Sequence, residues 1–211
     1  MKQDGSTALF RYWNDLRDGR PAPRHSAIEP ADIRSLLSDT FILERDGRGE
    51  AVFRLAGTRL CATHGRELKG FSFPSLWRAR DQNLASQLVA STFDHQSVSV
   101  IDYRGFTEKG RAARFELLLL PLEGPSEAER CLGITVAVDN PFWLGAEALV
   151  SCEIESVRSL DVDAEAAGIE RRMVLPVPPL APDAILVAPN SGGARRVRHL
   201  LVLDGGREDL H

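Results

Sequence analysis

The chain has 211 residues, of which 43% are hydrophobic and 27% charged, ordinary usage for a globular protein with a real core. Its formal net charge of −4 is opposite in sign to that of non-specific nucleic-acid binders, so we expect no nucleic-acid partner. The longest apolar run, 117–122, is far shorter than the ~20 residues of a membrane span, and the first residues lack a signal-peptide pattern. We therefore expect a cytoplasmic protein without membrane contact.

Residues 1–39 are predicted to form an N-terminal helical segment. An amphipathic helix is expected over 6–18, because its apolar side chains follow the i, i+3, i+4, i+7 spacing of a helix. A helix this short is marginal in isolation and needs packing. Its stripe either covers the protein's own domain or forms a homodimer, and the homodimer is our partner prediction. The stripe consists of Leu9, Tyr12, Trp13 and Leu16.

A proline-containing loop, 19–30, separates this helix from a second, shorter helix predicted over 31–38. Pro30 suits the first turn of that helix. Its predicted inner face carries Ile33, Leu36 and Leu37.

Alternating and β-branched patterns predict the strands. Strands are expected over 40–45 and 51–56, joined by a glycine-containing hairpin turn, and then over 97–103, 112–122 and 131–138. Between the two groups lie a glycine-jointed stretch, 57–77, and the longest helix, 78–93. The predicted inner face of that helix carries Leu84, Leu88 and Val89.

The strand at 131–138 has clean alternation. Gly133, Thr135 and Ala137 share one face, where their small size leaves room for a side chain or a ligand. One buried sheet–helix interface is predicted to contain Leu55, Leu117, Leu119, Ile134 and Val136.

The C-terminal third is less regular. Residues 149–157 fit either a further strand or an outbound helix. Residues 161–211 are predicted to be a Pro-rich linker, centred on 176–189, and a tail. An apolar segment at 199–203 could add a strand to a free sheet edge.

Four stretches carry a resemblance to a known family: LFRYWNDLRDGRPAPRHSAIEP (9–30), RLAGTRLCATHGRELKG (54–70), FELLLLPL (115–122) and LGITVAV (132–138). They resemble a bacterial family of stand-alone PAS-domain proteins. The resemblance implies an α+β fold with a five-stranded antiparallel sheet in the order 2-1-5-4-3 and helices over one face. It places the PAS-like domain at 40–160 and implies a sensory or scaffolding role without a known ligand.

Motifs for catalysis or metal binding are not found, so we expect no enzyme, no catalytic residues, no metal and no cofactor. Cys61, Cys131 and Cys152 have no CxxC spacing and are expected to be reduced thiols. Cys61 departs from the sequence pattern of flavin-binding PAS domains. His95 lies near the position of a haem ligand but is weak support for haem.

Two other groups are candidate sites. His64 fits a solvated turn better than a ligand. Arg54, Arg59 and Arg66 could form an ion-pair network with Glu67, or an anion pocket at a cavity mouth.

We therefore expect a PAS-type module in signal transduction, acting through an unidentified protein partner. One interpretation is that it senses a small ligand in a core pocket. The alternative is a ligand-free structural adaptor with a packed core, and an enzyme on a related fold is less favoured. The candidate pocket residues are Leu55, Leu60, His64, Phe73, Trp77, Leu88, Leu117, Ile134 and Val136.

Overall fold

The structure, a computed structural model, describes residues 1–124, 129–173, 194–197 and 200–203. These fall into two compact units, Met1–Met173 and Val174–His211. The predicted Pro-rich linker at 176–189 lies outside the described residues. In the second unit, strand β7 (Ala194–Val197) pairs antiparallel with β8 (Leu200–Leu203), so the apolar tail segment forms half of a local hairpin.

The first unit is α+β. Its helices are α1 (Asp4–Arg17), α2 (Thr58–Thr63), α3 (Ala79–His95) and α4 (Val162–Met173), with short 3-10 turns at His25–Ala27 and Phe73–Leu76. Its strands are β1 (Thr40–Arg45), β2 (Ala51–Ala56), β3 (Val98–Thr107), β4 (Ala112–Leu122), β5 (Arg130–Ala137) and β6 (Leu149–Leu160).

The strands form one antiparallel sheet in the order β2-β1-β5-β4-β3-β6. The expected order 2-1-5-4-3 is confirmed for the first five strands. The sheet has six strands, however. Residues 149–157, whose sequence fitted either a strand or a helix, lie in β6, which pairs along the whole of β3. The antiparallel α+β class is thus confirmed, with one more strand than predicted.

Each face of the sheet has its own core. The first, which we call the pocket face, packs under α2, α3 and the turn Phe73–Leu76. The second, which we call the α1 face, packs under α1 and the segment 22–36. Helices therefore cover both faces, where the PAS resemblance implied one. The N-terminal segment and α4 consequently belong to the same compact unit as the sheet, and the unit extends beyond the predicted domain, 40–160.

Helix α1 packs on its own sheet through a stripe rotated from the predicted one. Leu9, Phe10 and Trp13 are fully buried, and Trp13 Nε1 donates to the carbonyl of Pro121 at 2.7 Å. Tyr12 and Leu16 lie at the border of the contact and are half-buried. The spacing argument missed Phe10 because neighbouring apolar side chains allow more than one face of a helix.

A buried carboxylate marks the start of α1. Glu116, in the middle of β4, is fully buried and accepts from the backbone amides of Lys2 and Gln3 at 2.8 and 3.1 Å. Arg158 donates to the same carboxylate at 3.4 Å. Amides that precede a helix lack intrahelical partners, so this contact both satisfies them and fixes where α1 sits on the sheet.

The predicted single sheet–helix interface is wrong. Leu117 and Leu119 pack on the pocket face, whereas Ile134 and Val136 belong to the α1 face. Leu55, on the edge strand β2, is 48% exposed. The error arises because side chains alternate between the two faces along each strand. Which side chains of neighbouring strands share a face therefore depends on the register between the strands.

Two helix predictions also need correction. Residues 31–38 form successive turns rather than a regular helix, with Ile33 buried and Leu37 at the surface. In α3 the buried residues are Ala85, Val89 and Thr92, and the predicted inward Leu84 is 40% exposed.

Candidate ligand pocket

The nine predicted pocket residues do not form one site. Leu60, Phe73, Trp77 and Leu117 are buried together on the pocket face, and Leu88 packs against their edge. His64 is buried at the end of α2. The remaining three, Leu55, Ile134 and Val136, lie at the sheet edge or on the α1 face, as described above.

A continuous series of aromatic rings fills much of the pocket face. Neighbouring ring centroids are 5.0–6.3 Å apart, which is the usual range for interacting aromatic pairs. The rings follow one another across the sheet and come from four strands and from the turn before α3. They are Phe41, Phe53, Phe73, Trp77, Tyr103 and Phe115.

The aromatic rings fill only part of the space that was predicted above the small residues of β5. A Cβ built on Gly133 would lie 2.1 Å from the ring of Phe41, so at this position the space is used by a neighbouring side chain. Thr135 and Ala137, further along the same face of β5, instead line a cavity of about 240 Å³.

This cavity, which we call the α2 pocket, lies between α2, the ends of β4 and β5, and the loop 139–145. Apolar walls face a small number of polar groups, the composition typical of small-molecule sites. The apolar lining consists of Leu60, Phe115, Ala137, Leu144 and the backbone of Gly145, and the polar lining of Asp39, Arg59, Thr63, Thr135 and Asn140.

An ion pair lies at the α2 pocket. The guanidinium of Arg59 donates to the carboxylate of Asp39, whose side chain is only 16% exposed. Burial raises the pKa of Asp39, and Arg59 opposes this shift. The backbone carbonyl of Asp39 accepts from the amide of Thr135 at 3.0 Å, so the acidic residue is tied to the strand that forms the pocket floor.

The three arginines Arg54, Arg59 and Arg66 have separate partners. Arg54 pairs with Glu44 at 3.6 Å, Arg59 pairs with Asp39, and Arg66 lies over the ring of Phe71 at 4.5 Å. The predicted network around Glu67 is therefore wrong. Arg59 is the one of the three that lines the α2 pocket, although beside an acid rather than in an anion site.

His64 is buried and neutral. Burial, reinforced by the charge of Arg66, lowers its pKa to about 4, while the backbone of Leu149 acts in the opposite direction. The solvated turn expected from the sequence is thus wrong for this side chain. The backbone of Leu149, at the start of β6 and far along the chain, lies against this side chain, a contact that carries no local sequence signal.

The cysteines have the character of protonated thiols. Burial raises the pKa of Cys131 and of Cys152 to about 12, and it also raises the pKa of Cys61. A raised pKa keeps a thiol in its less nucleophilic form, so these environments do not activate a cysteine for covalent chemistry. All three are free of disulfide bonds.

Comparison with known proteins identifies the family. A family model described as PAS domain matches residues 1–136. The chain belongs to the PAS domain family. The match covers α1, the glycine-jointed stretch and the first five strands, and the family supports a sensory or regulatory signalling module rather than a catalyst. A search of curated proteins returns no match.

Solved PAS domains are among the structural neighbours. The PAS domain of an HTR-like protein from Haloarcula marismortui shares 17% identity with a TM-score of 0.39, over 51% of this chain and 90% of that one. The PAS domain of a protein from Colwellia psychrerythraea shares 17% identity with a TM-score of 0.38, over 52% and 98%. In the part of this chain that the structure describes, none of the helices has the length and apolarity to cross a bilayer.

Proposed function

We propose that this PAS domain is a non-catalytic, cytoplasmic regulatory module that senses a compact small molecule in the α2 pocket and acts on a protein partner. The observation that carries the proposal is the pocket itself, with apolar walls and the Asp39–Arg59 pair at one side. Its volume of about 240 Å³ lies below the ~300–1,000 Å³ of sites for drug-sized ligands, so the ligand is small. Three free thiols support a reducing compartment.

The pocket lining offers a route by which an occupant changes the surface. Asp39 and Arg59 lie on different segments, and Asp39 is bonded through its backbone to Thr135 on β5. The loop 139–145 supplies another wall. A bound ligand that displaces Arg59 or moves this loop changes the conformation of exposed residues. A partner protein can then bind the two conformations with different affinity.

Native mass spectrometry of the purified protein tests the ligand. Ala137→Leu adds three carbons into the pocket, whereas Ala79→Leu adds the same group at an exposed position of α3 and serves as the matched control. We expect the wild-type protein and the control to carry a bound small molecule, and the Ala137 variant to have lost it while remaining folded. A wild-type protein that carries no ligand and shows no thermal shift with any small molecule contradicts the proposal.

A ligand-free structural adaptor is the second candidate, and the aromatic series is the observation that favours it. Phe41 already fills the space above Gly133. In an adaptor, side chains fill the rest of the pocket face in the same way. An adaptor requires no empty volume. It predicts that Ala137→Leu leaves partner binding unchanged and raises the melting temperature, because the added carbons bury apolar surface.

Homodimerisation through the N-terminal helix is a further part of the proposal. Leu9 and Trp13 are occupied within the chain, so the residues left for a contact between copies are the half-buried Tyr12 and Leu16. Sedimentation of Leu16→Ser, with the exposed Asp15→Ser as control, tests this contact. A wild-type protein that is monomeric at high micromolar concentration contradicts it.

A further inference from the structure

We propose that the ligand of the α2 pocket is a small organic cation, a primary amine with a compact apolar body, whose ammonium group binds the carboxylate of Asp39. This inference rests on the proposed function, since it assigns the ligand chemistry of the same pocket. It follows from which member of the Asp39–Arg59 pair is fixed and which can be replaced.

The acid is the fixed member of the pair. The side chain of Asp39 is 16% exposed, whereas that of Arg59 is 67% exposed. The Asp39 backbone is held by Thr135, and Ser38 Oγ donates to its carboxylate at 3.3 Å. Burial of a carboxylate is costly unless a cation accompanies it. The pocket therefore requires a positive charge at Asp39, and a solvent-exposed arginine on a flexible stem supplies it when the pocket holds no other cation.

A ligand ammonium can take over this role at small cost. Arg59 can swing into water, where its charge is fully solvated, because most of its side chain is already exposed. The ammonium then lies at the carboxylate while the rest of the ligand extends along Leu60, Ala137 and Leu144. Burial of that apolar body stabilises the bound ligand by roughly 25 cal/mol per Å² of buried apolar surface. Arg59 gains no such burial in the pocket when it pairs with Asp39, so the ligand can displace it.

The pocket also favours a cation over an anion. The ring of Phe115, which stacks on Tyr103 at 5.0 Å between centroids, adds an apolar wall and no positive charge. A simple carboxylate of the same shape would meet the fixed negative charge of Asp39, so we expect it to be rejected.

Two sources share this chemistry, a simple amine and an amino acid with an apolar side chain. Only the amino acid also carries a carboxylate, which Arg59 can bind once the ligand has displaced it from Asp39. Three probes of nearly the same apolar body separate them, namely isopentylamine, leucine and 4-methylpentanoate. Binding is measured by titration calorimetry on the full chain at low ionic strength.

We expect saturable binding of isopentylamine to the wild-type protein and none of 4-methylpentanoate. Asp39→Asn keeps the shape of the side chain and should weaken amine binding at least about tenfold, the scale of a lost charge-assisted hydrogen bond. Arg59→Gln should strengthen it, because the competing cation is gone. Asp94→Asn, at an exposed ion pair with Arg45 and outside the α2 pocket, is the matched control and should leave the affinity unchanged.

The leucine titration identifies the source. Leucine binding that is tighter than amine binding, and that Arg59→Gln weakens, assigns an amino acid. Leucine binding that is no tighter assigns a simple amine. Both results support a cation at Asp39.

Absence of saturable binding of isopentylamine and leucine to both the wild-type protein and Arg59→Gln would overturn the inference. Equal amine affinity in Asp39→Asn would overturn it as well. The Arg59→Gln result does not depend on how well the Asp39 variant folds. If native mass spectrometry shows a ligand that Ala137→Leu removes and Asp39→Asn retains, the proposed sensing function stands and the cation inference fails.

Discussion

The two faces of the sheet are built from different side chains. The α1 face is mainly aliphatic, with Leu118, Leu120, Leu132 and Ile134 fully or almost fully buried under α1. The pocket face is aromatic and ends at small residues of β5. Aliphatic chains interdigitate closely, whereas rings leave gaps at their edges unless a neighbour fills them. The α1 face therefore holds the domain together, whereas the pocket face contains the candidate site.

The two faces also use buried polar groups differently. On the α1 face Glu116 is fully buried and its oxygens accept from two backbone amides and from Arg158. At the pocket Asp39 is partly buried and its main charged partner is exposed. A carboxylate bound by these backbone amides is structural, because Lys2 and Gln3 directly precede α1, whose buried side chains hold it on the sheet. A carboxylate held by an exposed arginine can exchange its partner.

The largest expected effect is on the α1 face. Trp13→Ala should lower the free energy of unfolding by about 3–5 kcal/mol, because a fully buried indole and its hydrogen bond to Pro121 are lost. Denaturant titration measures the change. The neighbouring Tyr12→Ala is the control and should cost much less, since Tyr12 is half-buried. Equal costs for the two variants would contradict the packing of α1 on the sheet.

The next effect is a pH dependence near the pocket face. The folded protein holds the pKa of His64 at about 4, below the ordinary value of 6.5. As pH falls from about 6.5 to 4, the unfolded chain binds a proton that the folded chain does not, so stability is lost in this window. At ~1.4 kcal/mol per pKa unit the loss approaches about 3 kcal/mol.

Denaturant titrations at several pH values measure this slope. His64→Gln should flatten it between pH 6.5 and 4, whereas His95→Gln, at an exposed position, should leave it intact. A wild-type slope that survives in the His64 variant would show that another group is responsible.

A smaller effect is expected where the aromatic series meets β5. Gly133→Ala should destabilise the domain by about 1–3 kcal/mol, because its Cβ would overlap the ring of Phe41. Gly47→Ala is the control, as nothing lies within 4 Å of a Cβ at that hairpin position. If Gly133→Ala is as stable as the control, the ring does not occupy the space above β5, and the α2 pocket is larger than described.

The smallest effect concerns reactivity rather than stability. A thiol reagent applied to the folded protein should modify the half-buried Cys61 first, while the buried Cys131 and Cys152 react only on unfolding. Their raised pKa values slow the reaction further, because the thiolate is the nucleophile. Denatured protein without reductant should show three free thiols. Rapid modification of all three in the folded state would mean that the sheet opens readily.

Among the elements of the fold, the strands were predicted most accurately from the sequence. Period-two alternation and turn glycines are local signals, and they placed β1, β2 and β4 with correct bounds and β5 to within one residue at each end. The family resemblance supplied the order of the first five strands, which no local pattern contains. The small residues of β5 also indicated the face that holds the pocket, since Thr135 and Ala137 line it.

Tertiary structure alone decided which side chains meet. Whether Leu117 and Ile134 share a face depends on the register between β4 and β5, and a shift of one residue would exchange the faces. The α2 pocket brings together Asp39, Thr63, Phe115 and Asn140, which are far apart in the chain. The room above Gly133 is closed by Phe41 from another strand, so composition could predict space but not its occupant. Local patterns fix conformation because they act within one element, whereas a site is fixed by contacts between elements.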